Sequence, residues 1–240
     1  EDIDTPPTIS TAAVSASPVG TYAIKAAGAS DDDYDFAYVA GTLTVDPAAL
    51  TITAEDQARG FGQPNPPFTA NYSGFVLEEG PTNLDTEPAL QTIADTGSSV
   101  GDYTITASGA SDTNYSITHQ SGTLSIGKAI ATITVSDAQR TYGASNPVFP
   151  FTVSGLLNGD TAEDIDTPPT ISTAAVSASP VGTYAITVAG ASDADYDFAY
   201  AAGTLTVDPA TLTITAEDKA RIYGELNPQL TATYSGFALG

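Results

Sequence analysis

Hydrophobic and polar residues alternate along much of the chain with a period of two. Apolar residues alternate with Thr in 212–216 (LTITA), and the segments 184–188 (YAITV), 196–200 (YDFAY) and 205–207 (LTV) show the same pattern. A period of two places successive side chains on opposite faces of a strand, and Thr is a good strand former. The pattern therefore predicts strands with one buried face and one face in contact with solvent.

Turn-forming residues separate the predicted strands. The dipeptide Ala202-Gly203 is interpreted as a tight hairpin between two of them. Only Leu157–Ile165 could form a helical turn, with Asp160 or Thr161 as its N-cap. The proline in its counterpart at 76–84 argues against a helix at this position of the repeat.

The chain is a tandem repeat. The sequence EDIDTPPTISTAAVSASPVGTYAI occurs at 1–24 and again at 163–186, and residues 1–56 and 163–218 differ at only five positions. A diverged copy lies halfway between them, so the period is 81 residues. We number the segments in chain order: repeat 1 (1–48, the back part of a repeat), repeat 2 (49–129), repeat 3 (130–210) and repeat 4 (211–240, the front part).

The strand count and the connections predict the fold class. Six or seven short strands in each repeat indicate an all-β chain of small Ig-like β-sandwich modules. Only Asp208, Pro209 and Ala210 lie between the last strand of repeat 3 and the first strand of repeat 4. A short connection that contains proline restricts bending, so we expect the modules to be arranged end to end as a rod.

Composition and charge exclude several classes of protein. Six Lys and Arg against 29 Asp and Glu give a net charge of −23, which opposes binding to nucleic acids and to anionic membranes. Apolar residues make up 41% of the chain, which is too many for a disordered acidic tail. The absence of Cys excludes disulfides and thiolate chemistry, and no apolar run is long enough to insert into a membrane. The composition suits an extracellular setting.

Three segments carry a resemblance to a known family. They are the Y-G-x-x-N-P segment (142–147 and 223–228), the V-G-x-Y strand start (181–184) and the closing strand A-G-T-L-T-V (202–207). In this fixed order the chain resembles the MBG-type repeats of bacterial surface proteins. The resemblance implies a β-rich stalk module of long adhesins or biofilm-matrix proteins, and it implies no catalytic activity. Repeat 2 departs from the pattern, with Phe61 in place of Tyr and Leu77-Glu78-Glu79 in place of Asn-Gly-Asp.

An enzyme is not expected from the residues themselves. His119 is the only histidine and is in phase with Tyr38 and Tyr200, so a Ser-His-Asp triad would lack its base in the other repeats. We interpret His119 as a strand residue that replaces a Tyr.

Acidic turns give a candidate calcium site. Carboxylates at alternate positions of a loop supply the oxygen ligands that hard cations take. The alternative is that these side chains are solvated and cap the backbone of the turns. The candidate ligands are Asp31, Asp33, Asp35, Asp193, Asp195 and Asp197. We expect no other cofactor.

Three arginines share one position of the repeat, and each follows an in-phase aspartate by three residues. We interpret them as contacts that position the domain junction, with Arg reaching carboxylates or carbonyls. The in-phase aromatics Phe61, Tyr142 and Tyr223 are either junction-packing residues or platforms for carbohydrate. The candidate junction residues are Arg59, Arg140, Arg221, Asp56, Asp137 and Asp218.

Two classes of function remain after these exclusions. The first is a structural stalk or filament segment of an extracellular surface protein, whose partners are neighbouring repeats or other copies of the chain. The partial repeats 4 and 1 of different copies could complete each other by strand addition, or both could be parts of one longer repeat array. The second is an adhesion module in which the repeats themselves bind a glycan or a surface protein.

Overall fold

The computed structural model describes residues 3–238; residues 1–2 and 239–240, the outer ends of repeats 1 and 4, lie outside this range. Within this range the regular structure is all strand apart from a short 3-10 helix at Pro81–Asn83. The strands are β1 (Thr8–Thr11), β2 (Gly20–Ala27), β3 (Gly41–Val45), β4 (Ala48–Ala54), β5 (Gln57–Gly60), β6 (Ala70–Ser73), β7 (Ala89–Gln91), β8 (Gly101–Ser108), β9 (Tyr115–Gln120), β10 (Gly122–Gly127), β11 (Ala129–Val135), β12 (Ala138–Thr141), β13 (Phe151–Ser154), β14 (Thr170–Thr173), β15 (Gly182–Ala189), β16 (Tyr196–Ala201), β17 (Gly203–Asp208), β18 (Thr213–Ala216) and β19 (Ala232–Ser235). The predicted all-β class is confirmed.

The chain divides into two compact units. The first comprises Glu1–Arg59, Pro64–Asp95 and Gly101–Ile126, and the second comprises Gly60–Gln63, Thr96–Val100 and Gly127–Gly240. Repeat 1 and most of repeat 2 therefore belong to the first unit. Repeats 3 and 4, together with two loops of repeat 2, belong to the second.

Each full repeat builds two sheets. In repeat 3 the strand orders are β13-β11-β16 and β12-β17-β15-β14, and repeat 2 has the matching orders β6-β4-β9 and β5-β10-β8-β7. The alternation in β11 is the predicted one, because Ala131, Ile133 and Val135 are buried and the residues between them are not.

The two sheets of repeat 3 share one hydrophobic core. Ile133 and Val135 of the first sheet belong to the same cluster as Ile186, Val188 and Leu205 of the second. Burying a side chain of this size contributes about 1.5–3 kcal/mol, so this cluster is the main source of stability of the repeat. The Ig-like classification stays a prediction.

The predicted hairpin at Ala202-Gly203 is wrong. Strands β16 and β17 lie in different sheets, and so do β11 and β12. Strand β11 pairs with β16 in parallel, and β12 pairs with β17 in parallel, so two chain segments cross together from one sheet to the other. The two segments approach so closely that a Cβ atom on Gly203 would lie 2.9 Å from the carbonyl oxygens of Val135 and Ser136. Glycine is needed for this close approach and not for a turn.

No helix forms at Leu157–Ile165, but a single turn starts at Thr161, one of the two predicted N-cap residues. The N–H of Asp164 donates to the carbonyl oxygen of Thr161 over 3.1 Å and closes this turn. In the same turn the Asp164 carboxylate accepts a hydrogen bond of 2.7 Å from the N–H of Thr161, and this bond lowers the pKa of Asp164. The short helix lies in the counterpart of this segment in repeat 2, where Pro81 occupies its first turn, a position that needs no N–H donor.

The partial repeats form smaller sheets. Repeat 1 contributes the sheet β1-β2-β3, and repeat 4 contributes the hairpin β18-β19. Residues 34–39 and 219–222 are not strands, although the segments in phase with them in repeat 3 are β16 and β12. In repeat 3, β16 pairs with β11 of the front part, and β12 pairs with β17 of the back part. Repeat 1 contains no front part and repeat 4 contains no back part, so these two segments have no strand to pair with.

Within residues 3–238, no helix has the length and hydrophobicity needed to span a membrane.

Candidate functional site

The second unit contains an apolar contact between consecutive repeats. Phe61, from the 60–63 loop of repeat 2, is 4% exposed, and its ring meets that of Tyr196 edge to face with a centroid distance of 5.4 Å. Gly62 follows with φ 73°, and a Cβ atom there would lie 2.7 Å from the Leu157 side chain. Phe61-Gly62, the equivalent of the Y-G pair in this repeat, therefore packs an aromatic ring and a glycine without a side chain against the next repeat.

Two hydrogen bonds accompany this contact. The N–H of Val100 donates to Oδ1 of Asp195 over 2.7 Å, and Nδ2 of Asn158 donates to the carbonyl oxygen of Thr96 over 3.2 Å. Asp195 and Val100 are both partly buried, so the charged acceptor strengthens the first bond. We call the contacts made by Phe61, Val100 and Tyr196 with their partners the junction site.

The same junction bond recurs 81 residues earlier, in the first unit. The N–H of Val19 donates to Oδ1 of Asn114 over 2.9 Å, and these residues are in phase with Val100 and Asp195. The bond borders a cavity of about 200 Å³, whose wall includes Leu77 and Tyr115. The junction site is therefore a property of the repeat.

Repeats 3 and 4 approach each other at equivalent positions within the second unit. Tyr142 is in phase with Phe61 and lines a cavity of about 370 Å³ together with Val181, Leu212 and Phe237. A Cβ atom on Gly143 would lie 2.5 Å from that of Ala238, which is in phase with Leu157.

A buried tyrosine forms the floor of the junction site. The hydroxyl of Tyr196 donates to Oδ2 of Asp160 over 2.7 Å and accepts a bond of 2.8 Å from the N–H of Leu157. Burial, with the hydrogen bond to Asp160 adding to it, raises the pKa of Tyr196 to about 12.

Repeat 2 preserves this arrangement with a longer acid. The hydroxyl of Tyr115 donates to Oε2 of Glu79 over 2.5 Å, and burial together with Glu79 raises the pKa of Tyr115. The Leu-Glu-Glu departure therefore retains a carboxylate at the position of Asp160.

The predicted junction arginines hold a loop of their own repeat. The Nε of Arg140, 7% exposed, donates to Oδ1 of Asn146 over 2.8 Å, and its guanidinium also reaches the carbonyl oxygen of Val176. Asn146 in turn donates to the carbonyl oxygen of Ala175 over 2.7 Å. Arg and Asn thus fix the Y-G-x-x-N-P segment against the chain at 175–176.

The other two arginines, Arg59 and Arg221, make different contacts in repeats 2 and 4. In repeat 2, Arg59 donates to Asn65 over 2.8 Å and to the carbonyl oxygen of Asp95. In repeat 4, Arg221 is exposed and contacts only the carbonyl oxygens of Ile222 and Glu225 among its described partners.

The predicted junction aspartates lie at the sheet crossover. Oδ1 of Asp137 accepts a bond of 2.7 Å from the N–H of Thr204, and Asp56 accepts a bond of the same length from Thr123. Asp218 is exposed in repeat 4. Asp56 and Asp137 therefore bond to the backbone rather than to the in-phase arginines.

Three of the predicted calcium ligands, Asp31, Asp193 and Asp195, accept hydrogen bonds from backbone N–H groups, and Asp197 forms an ion pair. Asp193 accepts from the N–H of Asp195 over 2.8 Å, Asp31 accepts from Asp33 over 2.8 Å, and Asp197 lies 3.7 Å from Lys128. In residues 3–238 no group of three or more His, Asp or Glu side chains could hold a metal ion. The contacts match the alternative in which these residues cap turns, and calcium binding stays a prediction.

Sequence reasoning missed Asn114 and Asp195 as junction acceptors. Asp195 was considered as a metal ligand, and Asn114 lay outside the candidates. The available signal was the phase, since Val19 and Val100 both precede a Gly and both acceptors precede a Tyr.

A family model described as MBG domain (YGX type) matches residues 1–44, 50–125, 131–206 and 212–240. No curated protein matches the chain. The four matches cover most of the chain at the phase of the 81-residue repeat, and Tyr142-Gly143 and Tyr223-Gly224 are Y-G pairs within them. The chain therefore belongs to the MBG domain family of the YGX type.

Proposed function

We propose that this chain is a non-catalytic structural segment of an extracellular surface protein, in which tandem MBG repeats provide reach and stiffness. The observation that carries the proposal is the recurrence of the junction site. The Val19–Asn114 bond of 2.9 Å and the Val100–Asp195 bond of 2.7 Å tie consecutive repeats at the same two positions. A protein with one unique binding surface would not need the same contact in successive repeats.

The energy of the junction site supports stiffness. Exposing the Phe61 ring and breaking the Val100–Asp195 bond would together cost roughly 3 kcal/mol. A difference of this size reduces the population of an opened junction about a hundredfold. The connections add to this restriction, because only Asp46 and Pro47 separate β3 from β4 and only Lys128 separates β10 from β11.

The contacts made by three charged side chains also fit a structural role. The carboxylates of Asp160 and Glu79 bond to buried tyrosines, and Arg140 binds a loop of its own repeat. These polar groups serve the fold and the junction site.

Small-angle X-ray scattering on the whole chain tests the proposal. We expect an elongated particle whose flexibility increases in the double variant Asn114→Ala/Asp195→Ala, because both junction bonds lose their acceptor. Asp195→Asn retains an acceptor and should scatter like the parent chain. Glu163→Ala, which removes an exposed carboxylate elsewhere in repeat 3, is the matched control for loss of a carboxylate.

Two results would contradict the spacer role. One is a compact particle in the parent chain, and the other is unchanged flexibility in the double variant. Repeating the measurement with calcium and then with a chelator tests the calcium prediction separately, since the junction bonds involve no metal.

A further inference from the structure

A tight turn of repeat 3 places an asparagine directly before a glycine beside the junction site. The N–H of Asp160 donates to the carbonyl oxygen of Leu157 over 2.9 Å, and the two residues between them, Asn158 and Gly159, have φ values of 55° and 93°. Positive φ at both central residues is typical of a type I′ turn, for which Asn-Gly is a preferred sequence. The backbone conformation therefore accounts for this dipeptide.

Asn-Gly is also a chemically reactive pair. Asparagine is one of the thermolabile residues of proteins, and a following glycine leaves the attacking nitrogen unshielded. The backbone nitrogen of the glycine bonds to Cγ of the asparagine, and the side-chain amide leaves as ammonia, which gives a succinimide ring. Water then opens the ring at either carbonyl. The product is aspartate or isoaspartate, so the net reaction exchanges ammonia for water and needs no enzyme or oxidant.

The other asparagines of the chain have less reactive neighbours. Three of them precede proline, whose nitrogen carries no hydrogen and cannot attack. Three precede Tyr or Leu, whose side chains hinder the approach of the nitrogen. The first set is Asn65, Asn146 and Asn227, and the second set is Asn71, Asn83 and Asn114.

The reacting groups of Asn158 and Gly159 are accessible in the folded chain. Both residues are exposed, so water reaches the ring, and the N–H of Gly159 makes no hydrogen bond to any residue from 3 to 238. The side chain is restrained by the 3.2 Å bond from Nδ2 of Asn158 to the carbonyl oxygen of Thr96. Attack requires this bond and the turn to open, and exposed loops open locally at little cost in free energy.

We propose that Asn158 is a site of spontaneous deamidation and that its conversion weakens the junction site between repeats 2 and 3. Either product replaces the Nδ2 donor with a carboxylate oxygen, which repels the carbonyl oxygen of Thr96. Isoaspartate also adds a methylene to the backbone next to Leu157. The Leu157 side chain already fits so closely against Gly62 that a Cβ atom on this glycine would lie 2.7 Å from it.

Repeat 2 has the same turn without the reactive pair. The N–H of Glu79 donates to the carbonyl oxygen of Val76 over 3.0 Å, and Leu77 and Glu78 between them have φ values of 54° and 62°. Leu77 has no carboxamide, so the junction between repeats 1 and 2 cannot change by this reaction. The effect on the junction rests on the proposed function, whereas the deamidation itself does not.

Peptide mapping by mass spectrometry tests the modification on the whole chain during storage at mildly alkaline pH. We expect Asn158 to convert at least tenfold faster than Asn71, Asn83 or Asn114, with more isoaspartate than aspartate in the product. Asn158→Gln is the control and should keep its amide, because the ring that it would form is larger and closes slowly. If Asn158 stays unconverted, or converts no faster than the other three, the proposal is overturned.

Hydrogen exchange of the Val100 amide tests the effect on the junction. This N–H donates to Asp195 across the junction site, so its exchange rate reports how often the contact opens. We expect several-fold faster exchange in the aged chain and in Asn158→Asp, which carries the new charge without the extra methylene. The amide of Val19, which makes the matching bond between repeats 1 and 2, should keep its rate.

The control for the added charge is Gln139→Glu. Gln139 is an exposed residue of β12, and its side chain makes no hydrogen bond within residues 3–238, so this variant makes the same amide-to-acid exchange in repeat 3 away from the turn. Unchanged exchange of Val100 in Asn158→Asp and in the aged chain, or an equal increase in Gln139→Glu, would overturn the effect on the junction. A Val100 amide that exchanges freely in the parent chain would overturn the junction site and the proposed function, while the mass measurement still decides the deamidation.

Discussion

The carboxylate of Asp137 accepts a hydrogen bond of 2.7 Å from the backbone N–H of Thr204, at the point where the chain passes from β16 to β17. Asp56 and Thr123 repeat this relationship in repeat 2. The N–H of Thr204 is next to Gly203, where the two parallel strand pairs change sheets, and Asp137 supplies an acceptor for it. Asp at this position thus stabilises the crossover.

Removing this acceptor should destabilise repeat 3. We expect Asp137→Ala to lower the free energy of unfolding by about 1–2 kcal/mol, because the N–H of Thr204 loses a charged acceptor. Asp137→Asn keeps an acceptor and should lose less. Urea unfolding monitored by circular dichroism provides the measurement. An equal loss in both variants would show that charge, rather than the hydrogen bond, is responsible.

Alanine should have effects of different size at two in-phase glycines. Gly203→Ala places a Cβ atom 2.9 Å from two carbonyl oxygens and should cost about 1–3 kcal/mol, as overpacking does. Gly41→Ala has room and should change the free energy of unfolding by less than about 0.5 kcal/mol. Urea unfolding of the two variants compares them. Similar losses would contradict the crossover geometry.

His119 lacks a hydrogen bond that the other repeats make at the same position. The hydroxyl of Tyr200 accepts from the N–H of Ala191 over 2.9 Å, and Tyr38 makes the same bond to Ala29 over 2.8 Å. Within residues 3–238, the buried Nε2 of His119 has no partner. His119→Tyr should therefore stabilise repeat 2 by about 0.5–1.5 kcal/mol.

The control for this substitution is His119→Phe, which supplies the ring without the hydroxyl. Urea unfolding of the two variants separates packing from hydrogen bonding. A gain in His119→Phe as large as in His119→Tyr would show that the hydroxyl makes no bond in repeat 2.

The loop at 77–78 carries backbone strain that repeat 3 avoids. Leu77 and Glu78 have φ values of 54° and 62°, whereas the same positions of repeat 3 hold Asn158 and Gly159. Residues with a side chain are disfavoured in this region, so Glu78→Gly should stabilise repeat 2 by about 0.5–1 kcal/mol. The reciprocal Gly159→Glu should destabilise repeat 3 by a similar amount. Thermal unfolding of both variants checks the pair, and a loss of stability in Glu78→Gly would contradict the assignment of strain.

Alternation and phase were sufficient to predict the strands and the repeat, and the family followed from the resemblance of three motifs. Ile133 and Leu205 were placed correctly on the buried face, because a register error of one residue would expose them. The parallel pairing of β11 with β16 could not be predicted, because alternation gives the face of a strand but not its neighbour. Ala202-Gly203 illustrates the problem, since a glycine needed for close approach has the same sequence signal as a glycine in a hairpin.

The junction was harder to predict than the fold. Arg140 was conspicuous because basic residues are rare here, yet its described contacts lie within its own repeat. The acceptor Asp195 resembled one of several acids in a turn. What distinguishes it is the N–H of Val100, 95 residues earlier, and a backbone donor leaves no mark in a sequence.

The buried hydroxyl of Tyr196 predicts a loss of stability at alkaline pH. Its folded-state pKa is raised from 10.0 to about 12, mainly because burial disfavours the phenolate. A raised pKa means that the folded chain holds this proton more tightly than the unfolded chain. The resulting stabilisation is complete below pH 10 and is lost as the pH rises through about 12.

The absorbance of tyrosinate provides the measurement for this prediction. We expect one late-titrating tyrosine to disappear in Tyr196→Phe, and we expect the stability of that variant to fall less steeply between pH 10 and 12. Tyr223→Phe is the matched control, because it removes a tyrosine hydroxyl from a side chain that is fully exposed. If Tyr196→Phe removed an early-titrating tyrosine instead, Tyr196 would be accessible to solvent and the apolar contact with Phe61 would not exist in solution.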